Sequence, residues 1–455
     1  MGWLPGSWWR WLQRQGWIRA NAALRRWAGA YTQQLCLLTD ELLQAVQRGT
    51  TGPTEDGLSG SSEAIDLRWG SPRPVSLWPG NGPNCGQNPW SCITGWAELQ
   101  QAIVTRWWRA SGKEPGTVLI TPGATAAWTL FADACLNAGD SVVLFDPCSP
   151  LFGWGVRQRG ARIHWIPTWI EDGWCRFPRP VLERAMRRAK AVVLAEPVNP
   201  TGARLHAEDR GLIAWLAAAH KVLLYVDVTF DAFQAAEKPL PWGTIKGLEN
   251  HLVAAGSLNW QGRWGGWRLG WITGPALVMR AVAWLQQWRS ALVPLACQQW
   301  ANHYLLETID EEQTLVHRRL EQQRQHAMDV LRTLGLESGD TGQGCFLWVS
   351  TASTGLNGRD WAHLLAQHHH VRVLPGELCG PSGRSMVRLC LLQPPALWQE
   401  ALRRLAAFGA TWKNSPTTCT TAPLDLSWRP ADQRGSSTSL PQPRDAPSPQ
   451  ISSIS

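Results

Sequence analysis

Lysine and tyrosine are the scarce residues of this 455-residue chain. Six lysines (Lys113, Lys190, Lys221, Lys238, Lys246 and Lys413) stand among 43 basic side chains, and 3 Tyr and 8 Phe stand beside 31 Trp. The pattern is that of a coding bias in which Arg and Trp occupy positions that other chains give to Lys, Tyr and Phe. It leaves any chemistry that needs a primary amine or a phenol with few candidates. No uninterrupted apolar run reaches the roughly 20 residues of a membrane span. The 11 Cys are odd in number and show no CxxC or Cys/His ligand spacing. They indicate neither a disulfide framework nor a zinc site, and reduced thiols in a cytoplasm fit best. The opening also lacks the apolar stretch and small-residue cleavage site of a secretory signal.

With 44% hydrophobic and 17% charged residues the chain is too apolar to be disordered as a whole. Its length suits two or three units, or one enzyme-sized body with tails. The net charge of +8 is scattered, apart from WWRWLQRQGWIRANAALRRW (Trp8 to Trp27). That segment reads as a solvated N-terminal helix or as a basic amphipathic one for an anionic surface. The scatter favours the solvated helix, and no nucleic-acid partner is expected.

Residues 1 to about 48 read as helical, with Leu35, Leu37, Leu38, Leu42, Leu43 and Val46 giving an apolar stripe, and the Gly/Ser/Thr stretch from Gly49 to Ser62 as a loop. From Gly95 helices alternate with short apolar strands: Thr117 to Thr121, Ser141 to Phe145, Arg162 to Ile166, Ala191 to Ala195, Val222 to Val226 and Leu252 to Gly256. Such runs between helices are how buried parallel strands look. The fold class is therefore α/β, with a mostly parallel sheet. A helical region from Val278 to Leu334, then strands near 344–349 and 387–391, suggests a smaller α+β domain. The Pro/Ser/Thr-rich end, 413–455, reads as a disordered tail.

Four motifs fall at strand ends. Thr121-Pro-Gly-Ala-Thr125 joins a strand to a helix, so that the N–H groups of Gly123, Ala124 and Thr125 suit a phosphate at the positive helix end. AEPVNPTGARL (Ala195 to Leu205) places Asn199 at the mouth of the sheet, where ligands of α/β proteins bind. Asp227 ends a third strand. A Gly-rich loop from Gly256 to Trp271 carries Ser257 and Arg268.

In this order the motifs resemble the class I/II aminotransferases, fold type I enzymes that use pyridoxal phosphate. The resemblance runs from about Ile65 to Phe408. It includes AIDLRWGSP (Ala64 to Pro72), GWAELQQAI (Gly95 to Ile103), DPCSP (Asp146 to Pro150), GCFLW (Gly344 to Trp348) and VRL (Val387 to Leu389). It implies an N-terminal extension and linker over 1–62 and an aminotransferase-like region over 63–412. Within that region a large domain would span about 74–277, and a small domain would come from the flanking segments and 278–412. It also implies Gly123, Ala124, Thr125, Ser257 and Arg268 as the phosphate site and Asn199 on the cofactor's 3-oxygen. Asp227 would pair with the ring nitrogen, and Arg388 would hold the α-carboxylate of an amino-acid or keto-acid substrate. Members of the family build their sites at a dimer interface, so a homodimer or a pairing with an intact relative is expected.

The departures fall on the reacting centre. The family's Schiff-base lysine stands eight residues before the phosphate arginine, and that position here is Trp260. An indole is a donor only and replaces neither nucleophile nor base. The family's cofactor-bonding Tyr is Phe230, its stacking aromatic falls where Cys148 and Ser149 stand, its second loop Ser is Asn259, and its partner-reaching Tyr is Trp90. Lys246 and Lys221 precede their strands, so both are expected at the opposite edge of the sheet. The reading is an aminotransferase-like, pyridoxal phosphate-binding protein that is degenerate in catalysis, with the cofactor held non-covalently or lost. The alternative is an active aminotransferase or amino-acid decarboxylase that uses a displaced lysine or another base.

Overall fold

The computed structural model describes residues 94–108, 116–233, 241–259, 266–307, 309–339 and 341–414. The segments read as an N-terminal helix and loop, the AIDLRWGSP segment, Trp90, Trp260 and residues 415–455 lie outside the described residues; the first two residues of the stretch read as a disordered tail, 413 and 414, instead end the helix Pro395–Asn414.

The strands are β1 (Val118–Thr121), β2 (Ser141–Asp146), β3 (Arg162–Pro167), β4 (Trp169–Glu171), β5 (Trp174–Arg176), β6 (Ala191–Ala195), β7 (Arg204–Leu205), β8 (Leu223–Asp227), β9 (Leu252–Ser257), β10 (Gly270–Thr273), β11 (Phe346–Ser350), β12 (Leu374–Pro375) and β13 (Met386–Cys390). Seven of them form one sheet in the order β1-β10-β9-β8-β6-β2-β3. β2, β3, β6, β8 and β9 pair in parallel, while β10 runs antiparallel to both neighbours. Helices Pro150–Gln158 and Ala207–His220 make the crossovers from β2 to β3 and from β6 to β8.

The apolar runs are continuous because both sheet faces are covered. Successive residues alternate between two cores, as the two-residue strand period requires. Val142 and Leu144, Ala191 and Val193, and Tyr225 face one core with Trp128, Phe131 and Phe152. Val143 and Phe145, Val192 and Leu194, and Leu224 and Val226 face the other, with Ile213 and Leu216.

The helix that follows β1 spans Ala124–Cys135, where the alternation of helices and strands expects one over Ala126 to Ala138. It starts early because Gly123 turns the chain at φ 87°, and it stops early because Leu136 is extended. The region read as one helical stretch after Val278 divides into Ala276–Ser290, Leu295–Glu307 and Ile309–Leu334. A second sheet, β11-β13-β12, packs with helices Ile309–Leu334, Gly358–His369 and Pro395–Asn414 around a separate core that holds Phe230, Phe346 and Trp361.

Candidate active site

Parallel pairing brings the carboxyl ends of the strands to one edge, and the register fixes the neighbours. Thr121 pairs with Gly270, Gly270 with Ser257, Asp227 with Ala255, and Ala195 with Asp227. The motifs that were scattered through 150 residues of sequence therefore share one sheet edge.

Gly123 precedes the helix Ala124–Cys135, and no side chain caps that helix. Its first N–H groups have no intrahelical acceptor and sit at the positive end of the helix dipole. Gly123 has no Cβ because Arg268 occupies that space: a Cβ would stand 2.6 Å from Arg268 Nη2 and 3.1 Å from Asn259 Nδ2. Arg268 Nη2 donates to Pro122 O at 3.3 Å, which sets its guanidinium across the helix end. Gly270 is equally confined, since a Cβ there would meet Gly123 C at 2.6 Å and Ala124 N at 2.7 Å.

Asn259, the changed loop position, clasps the cup from behind. Its Oδ1 accepts from Leu269 N at 2.8 Å, and its own N–H donates to Ser257 Oγ at 3.2 Å. Ser257 is 2% exposed. The role of Asn259 is structural and was not legible in the sequence.

Asp227 ends β8 with Thr229 N–H donating to Oδ1 at 2.9 Å. Burial pushes its carboxyl up from 3.8 to about 6, against the opposing effect of the Thr229 hydrogen bonds. Asn199 and Arg388 meet directly: Arg388 Nη1 donates to Asn199 Oδ1 at 2.7 Å. The Arg388 guanidinium lies 4.1 Å from the Phe346 ring centroid, and its buried Nε has no hydrogen-bond partner. The turn that carries Asn199 is anchored by buried Glu196. That carboxylate accepts from Trp242 Nε1 at 2.6 Å and Leu205 N at 3.2 Å, and it pairs with Arg210 at 3.2 Å. Glu196 stood in the AEPVNPTG string but gave no sign there of this role.

The positions that depart from the resembled pattern are apolar or spent on packing. Phe230 lies edge-on to Phe346 at 5.1 Å, inside the core of the second sheet. Cys148 and Ser149 are buried. The two described tyrosines, Tyr225 and Tyr304, are both core residues. Lys190 and Lys221 stand one and two residues before β6 and β8, at the amino edge of the sheet opposite Ser257 and Asp227, and Lys246 lies in the connection six residues before β9. Lys113, Lys238 and the Lys413 side chain lie outside the described residues.

The donor set fits the phosphate and ring of pyridoxal phosphate. The Gly123 and Arg268 cup suits a dianion. Asn199, its Oδ1 taken by Arg388, keeps its amide N–H to offer an oxygen acceptor. Asp227 is a half-buried carboxyl without a described cationic partner, suited to a protonated ring nitrogen. Among the described residues no group of His, Cys, Asp and Glu could hold a metal ion, and no helix is long and apolar enough to cross a membrane.

This sheet with this cup defines the fold type I class of pyridoxal phosphate-dependent proteins. A family model described as aminotransferase class I and II matches residues 92–405, and the chain belongs to that family. Arginine–pyruvate transaminase AruH of Pseudomonas aeruginosa is 27% identical over 338 residues, 71% of this chain and 83% of the relative. Valine–pyruvate aminotransferase of Mycobacterium tuberculosis is 27% identical over 350 residues, 74% and 88%. Among solved structures, N-succinyldiaminopimelate aminotransferase from Mycobacterium tuberculosis superposes with a TM-score of 0.64 at 25% identity, covering 69% of this chain and 84% of that one. The aromatic aminotransferase from Pyrococcus horikoshii shares the fold, with a TM-score of 0.66 at 21% identity over 70% and 87%.

Proposed function

We propose that this member of the aminotransferase family binds pyridoxal phosphate without a covalent link and is degenerate in transamination. The observation that carries the reading is Trp260 at the position eight residues before Arg268. The position of Lys190 and Lys221 at the amino ends of β6 and β8 supports it.

The N–H groups of Gly123, Ala124 and Thr125, the Ser257 hydroxyl and the Arg268 guanidinium would hold the phosphate. Asn199 would donate to the 3-oxygen, and Arg388 would take the α-carboxylate of an amino or keto acid. When bound, the cofactor supplies an electron sink next to an amino acid's α-carbon, and ionised Asp227 keeps the ring nitrogen protonated for it. The described residues at this edge include no primary amine to attack a carbonyl or carry the α-proton. The protein would work as a binder, or as a partner subunit to a second copy or an intact relative.

Borohydride reduction of the purified protein with pyridoxal phosphate, followed by peptide mapping, tests this. The expected result is no stoichiometric lysine adduct and no absorption band at the violet edge of the visible, with calorimetric binding retained. A stoichiometric adduct on Lys238 or any other lysine would make the protein an active enzyme with a displaced amine. No binding at all would mean the cofactor is lost.

A further inference from the structure

Beyond the carboxyl end of β2 lies a cavity of about 590 Å³ with a different lining. Its walls are the helix Pro150–Gln158, Trp165 of β3, residues 357 and 359, and the turns between 377 and 384. None of Gly123, Asn199, Asp227, Ser257, Arg268 and Arg388 lines it, and Cys148 and Ser149, which stand at the family's stacking position, form the wall it shares with the candidate active site.

Three guanidinium groups converge here. Arg359 is already paired with Glu377. Arg157 and Arg384 are exposed and have no carboxylate partner among the described residues. Arg157 reaches the cavity because Gly153, one helical turn back, has no side chain: a Cβ there would stand 3.3 Å from Arg157 Nη1 and 3.6 Å from the Trp165 ring. Trp165 also contacts the opposite wall, where a Cβ on Gly380 would lie 3.5 Å from it. Ser149 precedes the helix Pro150–Gln158, yet its hydroxyl makes no capping bond. The residue is 6% exposed and lines the cavity. Across from it, Asn357 caps the helix Gly358–His369 by accepting from Asp360 N at 2.9 Å. The second helix end is compensated, since Asp360 stands in its first turn and accepts from Asn357 Nδ2 at 2.8 Å; the cavity therefore gathers one uncapped helix N-terminus, two guanidinium groups without a described carboxylate partner, one compensated guanidinium and a hydroxyl donor.

We propose that this cavity binds a small dianion, a phosphate monoester or a dicarboxylate, held by Arg157 and Arg384 with the Ser149 hydroxyl donating. Two fixed forks suit the two charged ends of a dicarboxylate or the oxygens of one phosphate. Glu377 competes with the ligand for Arg359.

The test is calorimetric titration of the full chain with inorganic phosphate, with succinate and with acetate. Saturable binding of a dianion, and much weaker binding of acetate, is expected. Phosphate binding alone would mark a phosphate ligand and succinate binding alone a dicarboxylate. Arg157→Gln and Arg384→Gln should each weaken binding about tenfold, the scale of one charged hydrogen-bonding partner. Glu377→Gln should tighten it several-fold, a gain that a merely misfolded variant does not give. No saturable binding of either dianion would overturn the proposal. So would binding that falls in Arg268→Ala but not in Arg157→Gln, since that places the anion in the phosphate cup.

Discussion

Replacing Gly123 by Ala attacks the phosphate cup at its most confined point. Gly123 holds φ 87° and ψ 168°, a region populated almost only by glycine, where another residue costs about 1–3 kcal/mol. The new methyl group would stand 2.6 Å from Arg268 Nη2 and 3.1 Å from Asn259 Nδ2. Asn259 is pinned through its bond to Leu269, so the Arg268 guanidinium is the group that swings away. Two separable losses are expected. Backbone strain lowers unfolding stability by about 1–3 kcal/mol, read by urea denaturation followed through tryptophan fluorescence. Losing one charged hydrogen bond to the phosphate weakens pyridoxal phosphate binding by about 1.5–3 kcal/mol, or roughly 10- to 150-fold, read by calorimetry. Arg268→Ala should reproduce the binding loss without the strain. A Gly123→Ala variant within about 0.5 kcal/mol of its parent in stability, and equal to it in cofactor affinity, would refute the cup.

Three further expectations follow from the site and its supports. Because burial raises Asp227 to about 6, this carboxyl contributes stability that is full below pH 4 and lost as pH rises through 6. The loss is up to about 3 kcal/mol; Asp227→Asn should flatten that part of the unliganded protein's stability curve, and equal slopes for the two proteins would contradict it. Trp260→Lys should give a new visible absorption band and a borohydride-trapped adduct at position 260, with weak or absent transamination because Phe230 and Ser149 remain; full transaminase activity in the unmutated protein would overturn the degenerate reading. Trp128, 1% exposed and packed on Phe152 and Tyr225 with Nε1 donating to Leu151 O at 2.8 Å, should lose about 3–5 kcal/mol as Trp128→Ala, measured by denaturant unfolding.

The central strands β2, β6, β8 and β9 were legible because each holds an apolar run between helices whose residues alternate between two cores, whereas the edge strand β3, RIHWIP, alternates apolar with exposed polar residues. β10 was not, because GWIT is short and follows a glycine-rich loop, and its antiparallel direction is set by pairing between β1 and β9. The small sheet of β4, β5 and β7 joins a local hairpin, β4 with β5, to a strand about 30 residues further on, and that second pairing has no local pattern. Within the site, residue types at strand ends identified Asn199, Asp227 and Arg268. The bond between Arg388 and Asn199 spans 189 residues of sequence, and the clasp by Asn259 follows from where Leu269 returns. Neither has a local pattern to read.

Gly270 presses against the backbone of Gly123, Ala124 and Gly256, so three chain segments interlock at the centre of the sheet edge. Any side chain there would push β1 and β9 apart whether or not a ligand ever binds. A chain of this fold can therefore change its reacting centre and keep its glycines, because folding enforces them. The glycines report on how the sheet edge is built, and the residue eight places before the arginine on what the reacting centre can do.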